Sequence, residues 1–543
     1  MPTDRAAPPS ARAAGSLSLF ATIALLIIYT DAGLRVFWRI VGGKAFHAMP
    51  DLVRRDQPMR PLHDAQQAIP IAPNGTAVTV GAVVRPRLSA AAVVPSAPRW
   101  DPPTHTDEVS DQSLSDACAK HEVLYGNLYS DLAPWIDREL RIDEARMRDT
   151  INIVDRHRGK WNSWVSDTLT PILILRGKVY LTLGPPKKDP TNYFWTVLRD
   201  LQDLARTVPL PDTELLLNFA DQPVVFATEA GRTTPPNFPV FSYCKRARFL
   251  DILVPGYYTP DRVCREYRAG GNERHPWRSK RRAAFARYTH FCTMQKQVDE
   301  YNRPLPPCAR SYFASLSETA VGAKRLDVHP LNVVNDTKDP SLKYGQKLLA
   351  KGEPRTMAAH GEYAYLLDTD GFSSAYKLQQ LLATNSLVLR HRSTWRAYYY
   401  AALHAFVHYV PVWRSSSDDV LRLVDWLGAH DSVARRIALA GQRFACEHLT
   451  QPGRLCYWHK AIAEYTNSFL GYVPSLAKRP RAFPLDRLNI MCRIRDAPVV
   501  CYYNVKANGP PLPPGYVCEK PVPGAPNGTY EDCAYRGRQA AAI

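Results

Sequence analysis

The pattern of apolar and polar positions changes character several times along the chain. Residues Ala13 to Thr30 carry no charge and include the apolar run Leu19 to Ile28. As a helix they span about 27 Å at ~1.5 Å per residue, just enough for a bilayer core. Residues 31–113 are rich in Pro, Ala and Arg without sustained periodicity and read as a stem or linker. Periodic segments begin near Cys118. Glu139 to Arg156 predicts a helix with Ile142, Met147, Ile151 and Val154 on its apolar side. Pro171 to Leu175, Arg176-Gly177, then Val179 to Leu183 predicts a hairpin, and Trp195, Leu198, Leu201 and Leu204 mark a second helix. Glu214 to Phe219 predicts a buried strand running into Ala220-Asp221. Strand and helix patterns then alternate to about residue 470, which favours an α/β architecture with parallel sheets. Residues 476–543 read as a Pro-rich tail carrying Cys492, Cys501, Cys518 and Cys533.

Composition narrows this picture. A chain of 543 residues has room for two or three domains, and its 45% hydrophobic content is that of a globular protein. The formal charge of +18 fits an anionic partner or simply Arg-rich linkers. Three readings fit the apolar N-terminal segment: an uncleaved signal anchor, a cleaved signal peptide with a poor site at Thr30-Asp31-Ala32, or a buried helix. Charges flank it on both sides, so they do not fix its orientation. Sequons at Asn74, Asn335 and Asn527 and eleven dispersed cysteines point to a lumenal, disulfide-forming environment with one cysteine left over. No cysteines form a CxxC pair, which argues against zinc ribbons and thioredoxin chemistry. The anchor is therefore the expectation for residues 13–30.

Three segments are candidates for chemistry. Tyr363 to Leu367 predicts a strand, Asp368 to Gly371 a turn, and Ser373 to Leu382 a helix with serines at its start. A strand, a glycine turn and a helix N-terminus make a phosphate site, and Lys377 can neutralise a phosphate there. The same pattern also describes a plain serine cap with an exposed lysine. Asp368-Thr369-Asp370 is a DxD triplet, which fits either a divalent cation or a turn. Asp221, at the carboxyl end of its strand, fits either a general base or a turn cap before Pro223. The basic run Arg278, Lys280, Arg281, Arg282 and Arg287 reads as a solvated face or an anion site, and a lumenal location disfavours nucleic acid. His404 and His408 lack the glutamate of a zinc-protease helix and read as structural.

Taken together, these segments resemble glycosyltransferase family 90, which includes the protein O-glucosyltransferases and fungal capsule xylosyltransferases. The strongest block carries Tyr363, Tyr365 and Gly371, then Ala375-Tyr376-Lys377 and Asn385 to Leu389. Trp395, Tyr398-Tyr399, His408 to Val412 and Cys456-Tyr457-Trp458 follow in family order. Asn218 to Asp221, Pro239 to Cys244, Asp251 to Pro255, and Pro276-Trp277 with Lys280 and Arg287 match more weakly.

The resemblance covers about residues 115–470 and implies two Rossmann-like domains facing a cleft, the GT-B type of glycosyltransferase. With the segments outside it, the chain is expected to divide into a cytosolic tail (1–12), the N-terminal membrane anchor (13–30), the stem (31–113), an acceptor-side domain (114–275), a donor-binding domain (276–475) and the tail (476–543). The resemblance makes Asp221 the catalytic base, with Asn218, Pro255 and Tyr257 on the acceptor side. Arg287, Gly371, Ser373, Ser374, Ala375, Tyr376 and Lys377 are to hold the UDP of the donor. It also implies inversion, no metal or other cofactor, a Cys118–Cys456 disulfide, and Asp368 and Asp370 as turn residues. Two departures stand out: lysine at 377 where the family usually has arginine, and Tyr288 where it has glycine. The expected function is transfer of glucose or xylose from a UDP-sugar to a protein or polysaccharide hydroxyl, by a type II membrane protein in the lumen of the Golgi or endoplasmic reticulum. The alternative is a non-catalytic lumenal protein that binds sugar nucleotides or glycoproteins.

Overall fold

The computed structural model describes residues 111–157, 169–185, 194–227, 238–256, 258–268, 275–290, 292, 297–332, 334–335, 348–494, 499–506, 516–521 and 529–535. The expected anchor and stem, Asn74, Tyr257 and Asn527 lie outside them, and for Asn335 only the backbone, in a short strand, is described. No helix among the described residues is long and apolar enough to cross a membrane.

Two sheets organise the fold. The first contains β1 (Leu169–Leu175), β2 (Lys178–Leu181), β3 (Thr213–Asn218), β4 (Phe241–Ser242) and β5 (Ile252–Leu253). It is mixed. β1 pairs antiparallel with both β2 and β3, and β3, β4 and β5 run parallel. The hairpin turn suits its residues, since Arg176 and Gly177 both take positive φ, 50° and 68°, as a two-residue turn between twisted strands requires. The second sheet is parallel throughout, with β6 (Arg281–Tyr288), β7 (Leu326–Pro330), β8 (Tyr363–Asp368), β9 (Leu387–His391) and β10 (Val410–Val412) in the order β10-β9-β8-β6-β7. Parallel sheets are covered on both faces. Accordingly, Ala284, Ala286 and Tyr288 of β6 enter one apolar core while Phe285 between them enters the other.

Ten helices matter for the argument: α1 (Asp111–Ala119), α2 (Gly126–Ile136), α3 (Glu144–His157), α4 (Phe194–Thr207), α5 (Asp261–Arg268), α6 (Ala309–Ser317), α7 (Leu378–Ala383), α8 (Asp419–Ala429), α9 (Asp431–His448) and α10 (Gln451–Phe469). α3 begins five residues later than the Glu139 the periodicity predicts. Glu139 has a positive φ of 51°, Ile142 bridges to Leu470, and the Asp143 carboxylate accepts the Arg146 amide at 2.7 Å, so the helix is capped only there.

α10 follows the second sheet in sequence but packs on the first. Its Tyr465 hydroxyl donates to the Glu214 carbonyl at 3.0 Å and its Tyr457 hydroxyl to the Leu253 carbonyl at 3.0 Å. Its Arg454 binds Asp200 of α4 at 2.8 Å and Asp261 of α5 at 2.6 Å; Arg454 and Asp200 are buried and Asp261 is partly exposed. Disulfides Cys118–Cys456 and Cys264–Cys446 tie distant segments together, the first being the pair the resemblance implies, and Cys292–Cys308 closes a local loop.

The tail is more ordered than a Pro-rich segment predicts. Its β11 (Phe483–Pro484) joins the first sheet beside β2, at the edge, where a proline leaves no ladder bond unmade. Arg479 binds Glu214 at 2.7 Å in the interior. Beyond lies an antiparallel sheet of β12 (Leu488–Ile494), β13 (Val499–Lys506), β14 (Tyr516–Pro521) and β15 (Thr529–Tyr535), ordered β12-β13-β15-β14.

Candidate active site

The carboxyl end of β3 carries the first candidate. Asn218 is buried and organises the turn that follows: its Oδ1 accepts the Ala220 amide at 3.0 Å, and its Nδ2 donates to the Gln222 carbonyl at 2.7 Å and to Ser242 Oγ at 3.1 Å. Ser242 Oγ donates in turn to Asp251 at 2.7 Å, and Asp251 also accepts the Val224 and Val225 amides at 2.9 and 2.8 Å. Lys245 donates to the Asp251 carbonyl at 2.8 Å and forms a buried ion pair with Asp131 at 2.5 Å. Burial pushes the Asp251 carboxyl up to about 6. This chain of bonds fixes the backbone around Asp221, whose side chain stays exposed at the turn. The protein crowding around Asp221 raises its pKa above the ordinary carboxylate value by desolvation, which makes it a stronger base than a free aspartate.

The second candidate lies at the carboxyl end of β8. The predicted helix from Ser373 does not form there. α7 starts at Leu378, has Lys377 as its N-cap and is six residues long. The serines are spent on the turn: Ser373 Oγ donates to the Tyr376 hydroxyl at 3.3 Å and Ser374 Oγ meets the Tyr400 hydroxyl at 2.9 Å. Asp370 accepts the Ala375 amide at 3.2 Å and lies 3.4 Å from His391, while Asp368 lies 3.6 Å from Arg390. Burial pushes the Asp368 carboxyl up to about 7. Both aspartates thus hold the turn together, and the described residues contain no group of three His, Cys, Asp or Glu that could hold a metal ion. A recess opens here, lined by Ala309, Asp370, Gly371, His391 and Trp395.

The cations around this turn have different surroundings. Arg287 is committed: it binds Asp327 at 2.6 Å and donates to the Ala286 and Asp327 carbonyls at 2.9 and 2.8 Å. Lys377 donates to the Arg287 carbonyl at 3.3 Å and has no carboxylate at ion-pair distance among the described residues, and burial followed by the charge of Arg310 pushes its pKa down to about 8. Arg310, at the start of α6, donates to the Thr289 and Thr369 carbonyls at 2.7 and 3.5 Å and meets no carboxylate at ion-pair distance among the described residues. A Cβ at Gly371 would come within 2.6 Å of the Arg310 guanidinium, so glycine leaves that group its place. Tyr288 enters the core on the opposite face of β6 from Arg287. Its hydroxyl donates to the Arg310 carbonyl at 2.6 Å and its ring lies 5.3 Å from the Arg310 guanidinium. The ring therefore supports Arg310 and does not crowd the turn.

The two turns touch. Gln222 donates to the Phe372 carbonyl at 3.2 Å. The Cys244 thiol is 3.5 Å from the Asp221 carbonyl and 3.3 Å from the Tyr376 hydroxyl, and Tyr258 stacks on Tyr376 at 6.4 Å. Asn218, Asp221, Ser373 and Tyr376 are thereby brought together, and Lys377 sits over Arg287. Pro255 is buried beside Gly256, which packs on Tyr243, and Tyr257 is outside the described residues. Arg310, Cys244 and Tyr258 were not singled out from the sequence. No spacing rule connects Arg310 to Gly371, and Cys244 was visible only as part of a motif.

Against known proteins, the model of Glycosyl transferase family 90 matches residues 128–496. Curated relatives include Protein O-glucosyltransferase 2 of Danio rerio, 31% identical over 273 residues that cover 49% of this chain and 49% of that protein. Protein O-glucosyltransferase 1 of Homo sapiens is 24% identical over 281 residues, 48% of this chain and 64% of that protein. Protein O-glucosyltransferase 3 of Homo sapiens is 27% identical over 274 residues, 49% of each. The chain thus spans between about half and two thirds of the length of the curated relatives it matches.

Proposed function

The chain belongs to glycosyl transferase family 90, and from that premise we propose that it moves glucose or xylose from a UDP-sugar to a hydroxyl of a protein or glycan acceptor, with inversion. The observation that carries this reading is the contact between two unlike turns: a carboxylate with a raised pKa on one, and on the other two cations with no carboxylate at ion-pair distance among the described residues. Asp221 takes the proton of the acceptor hydroxyl as that oxygen bonds to the anomeric carbon. The bond from that carbon to the UDP oxygen breaks on the opposite side. Arg310 and Lys377 meet the negative charge that gathers on the diphosphate, in a setting already organised for it. Tyr376 and Ser373 shape the turn between the two, and Arg287 holds the backbone beneath Lys377. With Asp368 and Asp370 engaged by Arg390 and His391, cationic side chains take the part a metal ion would play.

The wholly parallel second sheet and the mixed first sheet fit two Rossmann-like halves of the GT-B type, divided near residue 275. The names of the relatives favour glucose and a protein acceptor. Residues 13–30 as an anchor, 31–113 as a stem, and a lumenal catalytic part in the Golgi or endoplasmic reticulum complete the reading. The three disulfides accord with such a compartment.

The test is a donor panel. Purified full-length chain is given UDP-glucose, UDP-xylose and related donors, with a serine of an EGF-like module or a polysaccharide as acceptor, with and without EDTA. Transfer that survives EDTA and collapses in Asp221→Asn supports the mechanism. Full transfer by Asp221→Asn overturns it. UDP-sugar binding with no turnover on any acceptor would favour the non-catalytic alternative.

A further inference from the structure

Cysteine usage in the tail sheet has a definite geometry. Of the eleven cysteines, six are joined in three disulfides and Cys244 is free and buried. The other four all fall on the tail sheet. There Cys492 of β12 is directly opposite Cys501 of β13, and Cys518 of β14 is directly opposite Cys533 of β15. Both pairings are antiparallel and keep constant register through the cysteines, with no bulge. Directly opposite residues in such a ladder have Cα atoms about 4.5–5.5 Å apart, within the ~4.4–6.8 Å that a disulfide spans.

The sheet also decides between the three ways of pairing four cysteines. In the order β12-β13-β15-β14, Cys492 has no neighbouring strand but β13, and Cys518 none but β15. Only Cys501 and Cys533 lie on adjacent strands and could exchange partners. Val505 is opposite Tyr530 across β13 and β15, so those two share a face. Cys501 is an even number of residues from Val505 and lies on that face. Cys533 is an odd number from Tyr530 and lies on the other. The two cysteine pairs therefore occupy opposite faces of the sheet, which disfavours a Cys501–Cys533 bridge and a four-cysteine metal cluster alike.

We propose that Cys492–Cys501 and Cys518–Cys533 are two cross-strand disulfides, one on each face of the tail sheet, and that Cys244 is the chain's single free thiol. Each bridge forms as two thiols give up two protons and two electrons to the S–S bond of a disulfide oxidant, which leaves as two thiols. A one-residue slip of a strand would move its residues to the other face, and a bridge in each hairpin forbids it. The bridges thus fix the register of a sheet whose strands β12 and β13 run beside α4 of the first half.

The experiment uses the full chain, expressed in the secretory pathway of a eukaryotic cell, extracted with detergent and purified without reductant. The protein is unfolded, its free thiols are alkylated with iodoacetamide, its glycans are removed, and it is digested with trypsin and a Glu-specific protease before disulfide mapping by mass spectrometry. Cleavage after Arg493 and after Glu519 or Glu531 separates the members of each pair. The expected map links Cys492 to Cys501 and Cys518 to Cys533, with iodoacetamide on Cys244 alone. Iodoacetamide on the tail cysteines, a link between Cys501 and Cys533, or zinc released in proportion to the protein would overturn the proposal. In Cys492→Ser, the expected new alkylation is on Cys501 only, with Cys518–Cys533 retained; a reshuffled Cys501 counts against it. The map is read whether or not the protein transfers a sugar, so it is independent of the function proposed above.

Discussion

The turn after β3 and the turn after β8 are built on opposite electrostatic plans. Around Asp221, the polar groups that set the backbone are satisfied by one another: Asn218 holds Ala220 and Gln222, Ser242 joins Asn218 to Asp251, and Lys245 joins Asp251 to Asp131. Around Gly371, the carboxylates Asp368 and Asp370 have partners, while the partners of Arg310 and Lys377 among the described residues are carbonyl oxygens. One turn holds a base in a fixed place. The other holds two cations for which the described residues supply no carboxylate at ion-pair distance. A site that must both take a proton and receive a departing diphosphate needs that difference, because charge already paired inside the protein has little left for a ligand.

The largest effect should come from the Asp221 side. Asp221→Asn keeps the shape and removes the proton acceptor, so turnover should drop by about 10²–10⁴-fold. UDP-sugar affinity, measured by calorimetry, should stay within a few-fold of the parent. A variant that loses donor binding along with turnover would mean that the two turns do not divide the work. The raised pKa of Asp221 also sets a sign: the base is lost as pH falls through a value above the ordinary ~3.9 of aspartate, so the acid limb of kcat/KM should lie above that value and vanish in Asp221→Asn.

Next comes the joint between the halves. Arg454→Met leaves the buried Asp200 and the partly exposed Asp261 without their cation. Breaking such a buried network costs about 3–5 kcal/mol, read as a lowered midpoint in urea. Retained stability would show that α10 is held to the first sheet by its apolar face alone. Arg310→Met should cost about 10²–10³-fold in turnover, the range seen when one preorganised donor is removed from a transition state, with the melting temperature nearly unchanged. Turnover untouched by this change would assign the diphosphate to Arg287 and break the comparison on its donor side.

The sequence made some of this visible and hid the rest for identifiable reasons. Leu215 to Leu217 and the Tyr363 to Leu367 run are buried strands whose composition alone announces them, and Arg176-Gly177 announces its turn. The length of α7 was not legible. Ser373 and Ser374 suit a helix cap, but their hydroxyls go to Tyr376 and Tyr400, and the Ala375 amide goes to Asp370. Local propensity cannot anticipate partners supplied from elsewhere in the fold. Arg310 was hidden because its place depends on Tyr288 beneath it and a glycine beside it. Cys456-Tyr457-Trp458 of α10 was legible as part of a motif, but not that its helix would return to the first sheet, since a motif does not say what its residues pack against. The tail read as irregular because its strands are separated by proline-rich stretches, and only their pairing gives them register.

The smallest effect, and the sharpest on the donor side, belongs to Lys377. Burial and the neighbouring Arg310 bring its pKa down to about 8, and only the protonated amine attracts a diphosphate. At pH 7 most of it is charged, so Lys377→Arg should change kcat/KM for UDP-glucose by only a few-fold. Above about pH 8 the parent should lose charge at 377, and kcat/KM should fall by up to about tenfold per pH unit, since that parameter reports the free enzyme. Arginine stays protonated throughout this range and adds a second donor to each contact. The alkaline limb should therefore disappear in Lys377→Arg while the acid limb, which belongs to Asp221, remains. Two profiles from about pH 5 to pH 10 decide it. An unchanged alkaline limb in the arginine variant would move the titrating group off Lys377 and leave Arg310 as the cation that meets the donor.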